Sequence, residues 1–288
     1  MNIAVIDLGS NSARMTVWHA EGNALSVLYN DRKYVRLSEG LADDDLLKPE
    51  PVERTLSALA DFKAVCGRLN CDNVIAVATE AVRRAENGEA FIKKVLEQTG
   101  IRIRVLSGED ESLADFYASE EFVGSGALIM DVGGGSLELI KAGNAGMLGH
   151  VCLPYGAVVT TDRFGADRGA LDHFFTEEFS NLDIIKGFHP ESIIGLGGSV
   201  RALFDFSVGK DQGAFLSADE FFKVCEIIFA MDYPSLSKCP AFRDRADIIK
   251  AGIAPFYALL KLTGAKGVTL NNRGVREGML IRWLKTKS

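Results

Sequence analysis

Apolar positions along the chain follow two periods. Short apolar runs bounded by glycine or polar residues predict strands at Ile3 to Leu8, Met15 to Trp18, Leu25 to Tyr29, Lys33 to Leu37, Val74 to Ala78 and Ile101 to Leu106. A second series follows at Ala127 to Val132, Leu137 to Ile140, Leu148 to Leu153, Ser192 to Leu196 and Val268 to Leu270. Helical spacing appears between them. Pro49 and Pro51 open a helix whose apolar face is Val52, Leu56, Leu59, Phe62, Cys66 and Leu69. Asn87 or Gly88 opens another, which runs to Gln98 and stops at Gly100. Ser107 and Asp110 have the spacing of a capping box, with acids in the first turn where the helix dipole favours them. Further helices are expected after Gly156, over Phe174 to Lys186, after Gly198, over Ala218 to Met231, around Asp244 to Pro255 (with Pro255 breaking or restarting the helix) and after Gly274. Strands alternating with helices predict an α/β protein.

Ala127-Leu-Ile-Met-Asp-Val-Gly-Gly-Gly-Ser-Leu-Glu-Leu-Ile140 reads as strand, glycine turn, strand. Gly133, Gly134 and Gly135 have no Cβ, so backbone N–H groups there can approach an anion closely, and Ser136 adds a hydroxyl. Asp131 and Glu138 flank the turn. Carboxylates beside a phosphate cradle repel it unless a cation lies between, which implies Mg²⁺ plus phosphate. A hairpin whose glycines serve only the turn is the alternative. The stretch has an echo in Ile3-Ala-Val-Ile-Asp-Leu-Gly-Ser-Asn-Ser12, where Asp7, Gly9 and Ser12 repeat the offsets of Asp131, Gly133 and Ser136. Two copies about 120 residues apart suggest a duplicated domain, with two turns gripping a phosphate chain across a cleft. Ser10, Asn11 and Ser12 join the first turn, and Arg14 follows it with a positive charge.

Other segments carry weaker chemistry. Thr79 and Arg83 follow the Val74 to Ala78 strand, where a parallel sheet presents its ligand edge, and Arg84 is an alternative to Arg83. Gly195, Gly197 and Gly198 with Ser199 form a second glycine nest at a helix start, and Gly156 and Ala157 either offer backbone donors at another or make an ordinary turn. Arg36 is as suited to a solvated strand face as to a cleft, and Asp43 to Asp45 reads as a solvated acidic loop. Arg245 with Asp247 reads as an internal ion pair, and Arg276 with Glu277 as a structural pair holding domains together.

Asp-Leu-Gly-Ser-Asn-Ser and Asp-Val-Gly-Gly-Gly-Ser-Leu-Glu together resemble the exopolyphosphatase/guanosine pentaphosphate phosphatase family of the sugar kinase, Hsp70 and actin superfamily. Nearly the whole chain shares the resemblance, through Ala78 to Arg83, Ser107 to Ser112, Gly156 to Val158, Arg245 to Asp247 and Gly274 to Gly278. It implies duplicated actin-like ATPase (ribonuclease H-like) domains, each a mixed five-stranded sheet flanked by helices. The implied boundaries are 1–120 and 121–288, with a closing helix over 274–288 that packs back on the first domain.

The family's catalytic glutamate falls on Glu111; Asp110 and Ser112 depart from the Glu and Ala usual beside it. Asp131 and Glu138, with Asp7 behind them, would hold Mg²⁺. Gly9 to Ser12, Arg14, Thr79, Arg83, Gly133 to Ser136, and Gly197, Gly198 and Ser199 would meet phosphates. The implied activity is release of terminal orthophosphate from inorganic polyphosphate or guanosine pentaphosphate. A kinase on the same fold and a non-catalytic nucleotide or polyphosphate sensor are the rival readings. Longer family members carry a C-terminal helical domain beyond the end of this chain, which makes short polyphosphates or guanosine pentaphosphate credible substrates. A homodimer is a common outcome for such enzymes.

The 47% hydrophobic content across 288 residues suits about two domains with real cores. A net charge of −7 argues against duplex nucleic acid as a partner, so any basic surface for a polyanion must be local. Five cysteines without a Cys-x-x-Cys pair read as free thiols, and the scattered histidines disfavour a zinc hydrolase. The start lacks a basic-then-apolar leader and no apolar run reaches membrane-spanning length, so a cytoplasmic protein is expected.

Overall fold

The computed structural model describes residues 1–22, 24–209 and 215–287. The chain divides into two compact units, Met1–Ala114 with Val275–Ser288, and Asp115–Gly274. The terminal Ser288 lies outside the described residues.

In the first unit, β1 (Asn2–Leu8), β2 (Ser12–Glu21), β3 (Ala24–Tyr34), β4 (Asn73–Ala78) and β5 (Ile103–Val105) form a sheet in the order β3-β2-β1-β4-β5. β1, β2 and β3 pair antiparallel, whereas β4 and β5 run parallel to β1. Both sheet faces are covered. Ala4, Ile6, Leu8, Met15 and Val17 share a core with Leu56, Leu59 and Phe62 of the helix Pro49–Arg68. Ile3, Val5, Trp18 and Val77 pack instead with Met279 and Leu280 of the closing helix Val275–Lys285. Strand residues alternate between the two cores because successive side chains point to opposite faces. Gly100 ends the helix Gly88–Thr99 in a left-handed conformation, its N–H bonded to the Leu96 carbonyl.

In the second unit, β6 (Gly126–Val132), β7 (Leu137–Gly143), β8 (Gly146–Leu153), β9 (Ile193–Gly197), β10 (Phe215–Ser217) and β11 (Gly267–Leu270) are ordered β10-β11-β9-β6-β7-β8. Read from β8, the first five strands repeat the pairing pattern of the first unit: antiparallel, antiparallel, parallel, parallel. The expected count of five strands therefore becomes six here. The extra strand, β10, is three residues long and pairs antiparallel with the outer edge of β11. That is too short to leave an alternating signal.

Three other expectations change. Leu25 to Tyr29 and Lys33 to Leu37 are not two strands: β3 is one edge strand, and its Asn30-Asp-Arg stretch pairs in register with Thr16, Met15 and Arg14 of β2, without a turn. The helix expected over Phe174 to Lys186 is Arg168–Ser180, started by the Asp167 carboxylate, which accepts from the Ala170 N–H at 3.0 Å. Pro255 does not break its helix, which runs Ile249–Thr263. Burial of Ile253, Phe256, Leu259 and Leu260 offsets the roughly 3 kcal/mol that an interior proline costs.

Leu41–Asp44 is a short helix where a loop was expected; Asp44 pairs with Lys48 and Asp45 with Arg84 at 2.6 Å each. The Asp43 side chain lies outside the described ones. Among the described residues, no helix is long and apolar enough to cross a membrane.

Candidate functional site

In the first unit, β1 delivers Asp7 to a four-residue turn in which the Gly9 N–H donates to the Ser12 carbonyl at 3.1 Å. The turn's outer carbonyls are held from one side. Ser10 O accepts from the Ser38 N–H at 3.1 Å, and Asn11 O accepts from the N–H groups of Val35 and Arg36 at 3.1 and 2.9 Å. In a planar trans peptide the C=O and the next N–H point in opposite directions. The N–H groups of Asn11 and Ser12 are thereby turned the other way, together. Arg36 reaches its place with φ +47°, an uncommon value for a residue with a Cβ. Thr79 lies beside this turn, its N–H donating to Leu8 O at 3.3 Å.

Asp7 stands across the hairpin from Arg14. Burial raises the Asp7 pKa, and the positive charges of Arg14 and Arg276 oppose that rise without cancelling it. Arg276, expected to hold domains together, bonds within the first unit to Thr16 Oγ1 at 2.8 Å and Asn30 Oδ1 at 3.2 Å.

Glu111 lies in the first turns of the helix Gly108–Ser119, where the Ser107 hydroxyl accepts the Asp110 N–H at 3.1 Å. Its side chain is 4% exposed and is bonded by Arg83 Nη1. The same Arg83 nitrogen donates to Leu106 O at 2.8 Å, and Nη2 bonds Glu80. Burial would lower the Arg83 pKa, but Glu111 and Glu80 more than reverse it, so the guanidinium stays charged. Arg83 thus clamps Glu111 in one orientation. Sequence reading placed Arg83 among phosphate contacts and passed over Glu80, because nothing in the chain signals which acceptors a guanidinium fork will meet.

In the second unit, the Gly133 N–H donates to Ser136 O at 3.0 Å, repeating the first turn. Here the carbonyls are held by the start of the helix Ala157–Phe164. Gly156 N–H meets Gly135 O at 3.1 Å, Ala157 N–H meets Gly133 O at 2.8 Å, and Val158 N–H meets Gly134 O at 2.9 Å. By the same peptide geometry, the N–H groups of Gly134, Gly135 and Ser136 point away from that helix as a set. Gly156 and Ala157 had two readings, donors to an anion or an ordinary turn; the structure spends their N–H groups on the glycine turn. The contact tolerates only glycine at 156, since a Cβ there would stand 2.5 Å from the Gly134 oxygen and the Gly135 nitrogen.

Asp131 and Glu138 are cross-strand partners, and Glu138 is 3% exposed. Gly197, at φ +96°, lets the Asp131 carboxylate close in: a Cβ would stand 2.7 Å from Oδ1. Gly198 faces the Arg245 guanidinium, and the Ser199 hydroxyl is packed against Gly252. The missing side chains at 197 and 198 thus also make room for Asp131 and Arg245 at the start of the helix Gly198–Ser207. Arg245 at that helix start is a further charged residue that sequence reading assigned to structure alone.

Cross-strand Cβ atoms lie about 4.5–5.5 Å apart, so the Asp131 and Glu138 side chains leave neighbouring positions on one face of the sheet. Hard oxygen donors in a pair suit Mg²⁺, which is held by one or two carboxylates and completes its shell with water and phosphate oxygens. Among the described residues, no group of three or more His, Cys, Asp or Glu is placed to bind a metal.

Known structures share this architecture. An exopolyphosphatase from Cytophaga hutchinsonii is 23% identical, with 99% of this chain and 98% of that one aligned and a TM-score of 0.93. A Ppx/GppA family member from Aquifex aeolicus is 25% identical over 100% of this chain and 99% of that one, with a TM-score of 0.82. A structure of the Aquifex aeolicus Ppx-GppA enzyme gives 26% identity over 98% and 99%, at 0.83. These likenesses fit the duplicated, actin-like α/β fold described above. Since the sequence model of the Ppx/GppA phosphatase family also matches residues 16–287, nearly the full length, the chain belongs to that family and is a phosphatase of its kind.

Proposed function

We propose that this protein is a Mg²⁺-dependent phosphoanhydride hydrolase that releases terminal orthophosphate from inorganic polyphosphate. The observation that carries the reading is the second-unit hairpin: three backbone N–H groups turned to one side, between two carboxylates that face each other. Such a turn takes an anion only with a cation beside it. Bound at Asp131 and Glu138, Mg²⁺ would supply positive charge to the phosphoryl oxygens.

The chain's own residues divide the remaining work. Gly134, Gly135 and Ser136 orient phosphate oxygens through their N–H groups. Asn11 and Ser12 offer the same donors in the first unit, with Arg14 adding charge. Glu111, fixed by Arg83, accepts the proton of the attacking water and so orients its lone pair. Asp7 is assigned to charge balance with Arg14, in place of metal ligation.

Polyphosphate is favoured because the related Cytophaga protein is described as an exopolyphosphatase. The test is orthophosphate release with and without Mg²⁺ from triphosphate, long polyphosphate, ATP and guanosine pentaphosphate. Release from polyphosphate that needs Mg²⁺ supports the reading. Phosphate transfer to an organic acceptor, or tight binding without turnover, would overturn it.

A further inference from the structure

β8 carries Cys152 directly across from Glu138 in the register of β7. Its thiol donates to Glu138 Oε1, with sulfur and oxygen 3.2 Å apart. We propose that Cys152 is a positioning residue that fixes the Glu138 carboxylate for metal binding.

The argument is geometric. Glutamate has a freely turning terminal carboxylate, whose last torsion is broad and weakly two-fold. Glu138 is buried, so water does not set that torsion for it. A donor on the neighbouring strand that holds one oxygen sets the plane of the group and the direction of the other oxygen. The ladder fixes the spacing, because cross-strand partners share a face of the sheet. A carboxylate acceptor strengthens an otherwise weak S–H donor. Neighbours on the same strand make the contact specific. Val151 and Leu153 pack against the apolar core of this unit, while Cys152 points to the face that carries Glu138.

The proposal rests on Glu138 taking part in the reaction, and the experiment separates the two ideas. Mn²⁺ binding is measured by titration calorimetry, and kcat and KM are measured with triphosphate, for the wild type and for Cys152→Ala, Cys152→Ser and Glu138→Gln. Cys152→Ala is expected to weaken Mn²⁺ binding about fivefold and to lower kcat about fivefold, with KM changed less than twofold. Cys152→Ser restores a hydroxyl donor and is expected to recover both within about twofold. Thermal unfolding of each variant shows whether it is folded, and the serine variant keeps the comparison valid if the alanine variant is not. Wild-type Mn²⁺ affinity and kcat in Cys152→Ala, or a serine variant no better than alanine, would overturn the proposal. Wild-type behaviour in Glu138→Gln would instead remove Glu138 from the reaction.

Discussion

Asp131 faces Glu138 across its hairpin, in the place where Asp7 of the first unit faces Arg14. The two hairpins share their turn geometry and differ in charge. One pair is balanced within the protein. The other places two carboxylates on one face of the sheet as cross-strand partners, an arrangement suited to a cation. Chelation is therefore expected to abolish orthophosphate release, and added Mg²⁺ to restore it. Asp131→Asn is expected to raise the Mg²⁺ concentration needed for half activity at least tenfold. An unchanged metal requirement in that variant would contradict the assignment.

Glu111→Gln keeps the shape of the side chain and much of its hydrogen bonding but removes the base. A rate loss of roughly 10²-fold or more is expected, together with a lower melting temperature, because the Arg83 guanidinium loses the buried one of its two carboxylate partners. Near-normal turnover would exclude Glu111 as the proton acceptor.

The Arg83 clamp requires a fork. Two of its nitrogens reach Glu111, Glu80 and the Leu106 carbonyl together. Lysine carries one nitrogen and cannot span them. Arg83→Lys is expected to lower kcat by about tenfold with a smaller change in KM, as read by steady-state kinetics. Equal losses of kcat and affinity would point instead to direct phosphate contact.

Gly156→Ala is expected to push the glycine turn off its seat, because the new methyl overlaps the Gly134–Gly135 peptide. Overpacking of this kind costs about 1–3 kcal/mol, and here the strain falls on the phosphate side. Lower melting temperature together with a raised KM checks it.

Asp110 gives a pH dependence of definite sign. Burial would raise its pKa, but hydrogen bonds from Arg282 and Arg104 outweigh that and hold it below the ordinary 3.8. An acid with a depressed folded pKa adds stability that is complete above its unfolded value and lost as pH falls through the folded one. Replacing it by asparagine should cost about 1 kcal/mol from about pH 5 to 8, and progressively less below about pH 4. Thermal unfolding over that range tests it, and a penalty that grows on acidification would refute it.

Much of this was legible in the residues. The repeated offsets of Asp7, Gly9 and Ser12 announced the duplicated hairpin, and Gly100 announced a helix end. What could not be read was direction. Gly156 and Ala157 are donors at a helix start in either reading; only the fold shows that they support the glycine turn from behind. Gly197 and Gly198 look like a nest in sequence; only the fold shows that their missing Cβ atoms also make room for Asp131 and Arg245. β10 was invisible because three residues carry no period, and Pro255 misled because the apolar burial around it outweighs its local cost.

The closing helix Val275–Lys285 has a consequence for biosynthesis. A ribosome extrudes β1, β2 and β4 about 200 or more residues before Met279 and Leu280. Until then the nascent chain presents Ile3, Val5, Trp18 and Val77 to the surrounding medium. Termination before Val275 would thus leave that face of the first sheet without its cover, prone to chaperone capture or aggregation.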